Sequence, residues 1–127
     1  MKKLILFLLT AMLLVGCGQT NQTQEAVYMN ITAEEAKQIM DSEVGYIILD
    51  TRTQAEYDEG HIPGAIVIPH DEITDRAEEE LPHKDQLLLV YCRSGRRSKL
   101  AAEDLVKLRY TYIKEFGGII DWPYEVE

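Results

Sequence analysis

Leu87-Leu88-Leu89-Val90-Tyr91 is an unbroken apolar run that ends at Cys92. Such a run does not alternate between core and water, so a strand built from it has both faces covered, as in a parallel sheet. Tyr46-Ile47-Ile48-Leu49, ending at Asp50, and Ala65-Ile66-Val67-Ile68, closed by Pro69, read as buried strands of the same kind. Tyr112 to Phe116 reads as a weaker one. Helical patterns lie between them. Thr32-Ala33-Glu34-Glu35 forms a capping box that starts a helix running to about Met40. Thr53 to Glu59 forms a short helix stopped by Gly60, and His61-Ile62-Pro63-Gly64 is a turn. Asp71 to Leu81 reads as an acidic helix closed by Pro82. Ser98 to Leu108 is the longest helix, with Leu100, Ala101, Leu105 and Leu108 on one face. Gly117-Gly118 turns the chain into a short C-terminal element that contains Trp122. Strands alternating with helices imply an α/β domain with a mostly parallel sheet. A chain of 127 residues has room for one such domain, and no internal repeat is visible.

The thiol of Cys92 therefore falls where a buried strand stops and a helix begins. Ligands of parallel sheets bind at the carboxyl ends of strands. Three arginines follow within five residues, in Cys92-Arg93-Ser94-Gly95-Arg96-Arg97-Ser98. Amides at a helix N-terminus lack internal acceptors and carry partial positive charge, which favours an anion there. Such surroundings favour a thiolate. A buried, inert cysteine is the competing reading, and an arginine-rich loop speaks against it.

Formal net charge is −9, which disfavours extended contact with nucleic-acid phosphates. The three loop arginines are a local positive spot in a negative molecule and suit a small anion. At the N-terminus, Met1-Lys2-Lys3 is basic, and Leu4 to Val15 is apolar but short for a membrane span. Leu14-Val15-Gly16-Cys17 resembles the bacterial lipobox. Residues 1–16 are then a lipoprotein signal peptide and 17–27 a lipidated N-terminus with a polar tether. Residues 28–127 are the domain. Lipid on Cys17 would hold the protein in a bacterial cell envelope, on the outer side of the cytoplasmic membrane or in the periplasm, without crossing the bilayer. The sequence contains only two cysteines, so an acylated Cys17 leaves Cys92 without a disulfide partner.

Three motifs in order resemble the rhodanese domain. Asp50-Thr51-Arg52, Glu56-Tyr57 and Gly60-His61-Ile62-Pro63-Gly64-Ala65 are similar to its first half. Cys92-Arg93-Ser94-Gly95-Arg96-Arg97-Ser98 is similar to its active-site loop, Cys-x-x-Gly-x-Arg-Ser. Gly117-Gly118 with Trp122 is similar to its C-terminal Gly-Gly-x-x-x-Trp. The resemblance covers the chain from about Asn30 onward. It implies a rhodanese-like, mostly parallel five-stranded sheet flanked by helices, and a cysteine that carries sulfane sulfur. One departure is Arg109 before Tyr110, where the family often has Gly; a non-Gly residue in a left-handed cap carries a cost.

The implied chemistry is nucleophilic and has two steps. Cys92 takes the outer sulfur of thiosulfate or a similar small anionic donor, and a thiol, cyanide or similar acceptor removes it. Amides of Arg93, Ser94, Gly95, Arg96, Arg97 and Ser98 are expected to ring the sulfur as a nest. Arg93 and Arg96 are expected to meet the donor's charge. Arg97 has two readings, substrate contact or an ion pair with a carboxylate such as Asp50 or Glu56. Asp50 and Arg52 are supporting residues, with Arg52 and Glu56 spaced to pair locally. No cofactor or metal is called for, because His70 and His83 lack ligand-like spacing. His61 reads as a structural hydrogen bonder, Trp122 as a core plug, and Glu78-Glu79-Glu80 as a solvated face.

Four alternatives remain open, among them a thiol–disulfide role, which without a second cysteine needs an external thiol. Another is a non-catalytic rhodanese-like binding module, although such modules often lose the cysteine. The remaining two are a cysteine-dependent phosphatase and an arsenate reductase. A phosphatase loop of the form Cys-x5-Arg needs an arginine six residues after the cysteine, where this chain has Ser98. Arsenate reduction also lacks a second cysteine to resolve its adduct.

Overall fold

The computed structural model describes Gly16, Gly18 and residues 27–127. Cys17 and nearly all of the signal-peptide and tether segments lie outside the described residues. The elements in order are β1 (Met29–Asn30), α1 (Ala33–Ser42), β2 (Ile47–Asp50), α2 (Gln54–Glu59), β3 (Ile66–Val67), α3 (Ile73–Glu80), β4 (Leu88–Cys92), α4 (Arg96–Lys107) and β5 (Ile113–Gly118). Single 3-10 turns at His70–Glu72 and Ile119–Asp121 precede α3 and follow β5.

The five strands form one sheet in the order β1-β5-β4-β2-β3, and every pair is parallel. β4 is central, and its five residues are all buried. Period-two alternation divides them between two cores. Leu88 and Val90 pack with Ile73 and Ala77 of α3 and with Ala101, Ala102 and Leu105 of α4. Leu89 and Tyr91 pack on the other face with Ala36 of α1, Ile62, Phe116 and Trp122. The apolar run is continuous because both of its faces are covered. Each fully buried Leu or Val contributes roughly 1.5–3 kcal/mol relative to exposure.

Helix starts follow the capping residues. Thr32 Oγ1 accepts from the Glu35 N–H (3.1 Å) and Thr53 Oγ1 from the Glu56 N–H (3.2 Å). Both satisfy a donor that the first turn leaves free. At the far end of α4, Arg109 takes a left-handed φ of 74°, in the place where Gly is common. The turn is held by the Tyr110 N–H on the Leu105 carbonyl (3.0 Å) and by the buried Tyr110 hydroxyl on the Leu81 carbonyl (2.6 Å).

Several sequence expectations need correction. β3 is a two-residue edge strand rather than a buried four-residue one, and Ile66 is exposed. The acidic helix begins as a 3-10 turn and becomes α-helical at Ile73. α4 begins at Arg96, two residues earlier than predicted. Its buried face is Ala101, Ala102 and Leu105, whereas Leu100 is 40% exposed. Gly117 and Gly118 are not a turn after β5 but its last two residues. Between Val90↔Glu115 and Cys92↔Gly118, β5 carries one residue more than β4, so a bulge lies beside Cys92. Such bulges re-aim the chain at strand ends.

Candidate active site

Cys92 is the last residue of β4, on the face that packs against α4. A loop of only three residues, Arg93 to Gly95, joins it to α4. Gly95 is the N-cap and sits at φ 102°, in the left-handed region where a side chain is strained. That conformation turns the Gly95 N–H back onto the Cys92 sulfur, 3.0 Å from Sγ. The thiol is 1% exposed, and the Gly95 N–H is its polar contact among the described residues.

The loop is held from beneath by the end of β5. A Cβ on Gly118 would lie 1.9 Å from the Arg93 carbonyl oxygen, so only glycine admits the loop at this distance. The Ile120 N–H donates to the same carbonyl at 3.2 Å. Glu115, 2% exposed, completes the support. Its Oε1 accepts from the Ser98 hydroxyl (2.7 Å) and from the Gly117 N–H (2.9 Å). The Ser98 hydroxyl also lies 3.0 Å from the Gly95 carbonyl oxygen. One buried carboxylate thus ties the first turn of α4 to the bulge of β5.

Two arginine–carboxylate pairs flank this loop. Arg97 forms a bidentate pair with Glu56, Nη1 to Oε1 at 2.7 Å and Nη2 to Oε2 at 2.9 Å. Hydrogen bonding to Arg97 lowers the Glu56 pKa from 4.5 to about 2. The same bonds raise the Arg97 pKa, and charge on Cys92 adds a smaller effect in the same direction. Asp50 is fully buried and wrapped by donors. Its Oδ1 accepts from the Arg52 N–H (2.9 Å), and its Oδ2 from Arg52 Nη2 (2.7 Å) and the Tyr91 hydroxyl (2.8 Å). Arg52 Nη2 also donates to the Gly60 carbonyl at 2.7 Å. Burial disfavours the Arg52 cation, but the Asp50 bonds and charge outweigh it, and its pKa is raised. Burial pushes the Tyr91 hydroxyl pKa well up.

The predicted site residues thus have different placements. Cys92, Gly95 and Arg97 come together at the start of α4. Arg93, Ser94 and Arg96 are exposed around it. The Ser98 side chain is turned away from the sulfur, into Glu115. The expected ring of amides is one amide at the sulfur itself: among the described residues, Gly95 is the bonded donor. The amides of Arg96, Arg97 and Ser98 belong to the first turn of α4, where no intrahelical acceptor exists. Asp50 does not orient the loop directly but holds Arg52. The expected Arg52–Glu56 pair is absent, because Arg52 pairs with Asp50 and Glu56 with Arg97. His61 is a structural hydrogen bonder, with Nδ1 2.9 Å from the Tyr57 carbonyl oxygen. Glu115 was not anticipated. Its one sequence signal is an acid between the apolar residues Ile113 and Phe116, next to Lys114, in a strand.

Residues 32–122 match the rhodanese-like domain family. This chain belongs to that family. Its five-stranded parallel sheet flanked by helices is the rhodanese fold. The thiosulfate sulfurtransferase PspE of Escherichia coli is 37% identical over 73 residues, covering 58% of this chain and 70% of that protein. A sulfurtransferase of Allochromatium vinosum is 37% identical over 93 residues, covering 72% of this chain and 85% of that protein. YrkF of Bacillus subtilis is 35% identical over 111 residues; the match takes in 87% of this chain but 59% of that protein's length. Among solved structures, a rhodanese with anions from E. coli superposes with a TM-score of 0.60 at 33% identity. It covers 65% of this chain and 96% of that one. Sulfur transfer is the general chemistry that this rhodanese domain and its sulfurtransferase relatives support.

Proposed function

We propose that the protein is a thiosulfate sulfurtransferase that works through a persulfide on Cys92. The observation that carries this reading is the 3.0 Å contact from the Gly95 N–H to Cys92 Sγ at the start of α4. A donor amide at that place favours a sulfur anion. The Cys92 thiolate attacks the outer sulfur of thiosulfate. The donor's S–S bond breaks, sulfite departs with the electron pair, and Cys92 keeps the sulfur as a persulfide anion. A thiol, cyanide or similar acceptor then removes it. In this reading the first-turn amides of Arg96, Arg97 and Ser98 receive the second sulfur, and Arg97 supplies a positive charge. The short loop suits one added sulfur atom better than a phosphoryl group. At the phosphatase arginine position stands Ser98, whose hydroxyl is committed to Glu115.

Mass spectrometry after incubation with thiosulfate tests the proposal. The expected product is a gain of one sulfur on Cys92, lost again on addition of cyanide, and Cys92→Ser abolishes turnover. Retained transfer by that variant, or labelling of Cys92 by a phosphate analogue instead, defeats it.

We further propose, from the Leu14-Val15-Gly16-Cys17 pattern alone, that Cys17 is lipidated and places the domain in the cell envelope. Incorporation of labelled palmitate that is lost in Cys17→Ser is the expected result. Equal labelling of the two proteins counts against it.

A further inference from the structure

The described residues contain eleven lysines and arginines. Six of them, Lys37, Arg52, Arg76, Lys84, Arg97 and Lys107, form ion pairs with carboxylates. Of the five that do not, three are Arg93, Arg96 and Lys99, inside one eight-residue stretch that begins at Cys92. All three are exposed. In a chain of net charge −9, three of the five unpaired cations among the described residues thus follow the reactive sulfur, while Arg109 and Lys114 lie elsewhere.

Apolar side chains accompany these cations. Leu100 is 40% exposed although it lies on the active-site helix. It is four residues from Arg96, and Lys99 is three, so the three share one face of the first turns of α4. On the other side of the loop, Ile120 is 60% exposed while its N–H is bonded to the Arg93 carbonyl. Next to Arg93 is a recess of about 360 Å³ whose lining includes Ile119, Arg52 and Glu59. Glu59 repels an anion on that wall, which confines an acidic contact to the α4 side. In the persulfide reading the donor anion is bound at the loop. Lys99 and Leu100 lie about one helical turn, roughly 5 Å, further along α4 and are not needed for it.

We propose that this rim docks the sulfur acceptor, and that the acceptor is a polypeptide with a cysteine flanked by acidic residues and an apolar side chain. The proposal rests on the persulfide reading above. Arg93, Arg96 and Lys99 match the acidic flank, and Leu100 and Ile120 match the apolar contact. The acceptor thiolate attacks the outer sulfur of the Cys92 persulfide. The bond from that sulfur to Cys92 Sγ breaks, with its electron pair left on Sγ as thiolate. The outer sulfur leaves as the peptide's persulfide, and no external oxidant or reductant takes part.

The test uses the domain, loaded with thiosulfate, and synthetic cysteine peptides with glutamate, serine or lysine flanks. Transfer is read as a gain of one sulfur on the peptide. Expected is at least a tenfold faster transfer to the glutamate peptide than to the lysine peptide at low salt, with the gap closing as salt rises. Lys99→Glu and Leu100→Ser reduce transfer to the glutamate peptide several-fold and leave transfer to cyanide unchanged. Circular dichroism reports their folding. Equal rates for all three peptides, or no effect of Lys99→Glu, mean that the rim serves small anions only and overturn the proposal. A glutamate peptide with serine in place of cysteine separates the two readings. Its binding, read by anisotropy and weakened by Lys99→Glu, supports docking whether or not Cys92 loads sulfur. Failure to load refutes the persulfide reading alone, and loading without peptide binding refutes docking alone.

Discussion

Asp50–Arg52 and Glu56–Arg97 are chemically the same pair, yet they hold different things. In the first, the side chains are 0% and 7% exposed, and Tyr91 and Gly60 occupy the remaining hydrogen-bonding positions. In the second they are 29% and 21% exposed and bridge α2 to the first turn of α4. A buried pair has already met its desolvation cost, so removing one partner strands a charge. A rim pair retains water as an alternative partner, so its loss costs little stability. The sealed pair belongs to the framework at the carboxyl ends of β2 and β4, and the open pair ties α2 to the first turn of α4 beside the Cys92 loop.

That contrast is open to breakage. The largest effect is expected from Asp50→Ala, which leaves Arg52 buried without its carboxylate. It should cost about 3–5 kcal/mol in urea unfolding. A loss no greater than that of Glu56→Gln would erase the distinction between the pairs. Next comes Glu56→Gln, expected to cost about 1 kcal/mol or less in stability. Its effect on turnover should be larger, roughly tenfold in kcat, because Arg97 and the loop are no longer aligned. Unchanged kcat would make the pair a surface ornament. Acid titration gives the smallest effect. The folded pKa of Glu56 is lowered from 4.5 to about 2, so its stabilisation is complete above 4.5 and is lost as pH falls through about 2. The stability gap between wild type and Glu56→Gln should therefore shrink across that window. A gap that stays constant there would show that the carboxylate charge contributes nothing.

The same contrast explains what was legible in the sequence. β2 and β4 were visible because burial on both faces produces unbroken apolar runs. β1 and the true extent of β3 were not, because two-residue edge strands carry no periodicity. Arg52 and Glu56 have helical spacing, but α2 begins at Gln54 after the Thr53 cap, so Arg52 is outside the helix and turns back to Asp50. Leu100 sits one position before the buried stripe of α4, and contact with β4 and β5 sets that stripe's rotation. Cys92, Gly95 and Arg97 are legible as a group in the sequence because one short loop joins them. Glu115 was missed because its partners, Ser98 and Gly117, meet it only through the bulge.

The two outermost strands, Met29–Asn30 and Ile66–Val67, are also the shortest. An intruding chain would find a border strand of two residues on either side, a poor template for a growing β-stack. Short borders of this kind discourage edge-to-edge joining of one copy's sheet to another's.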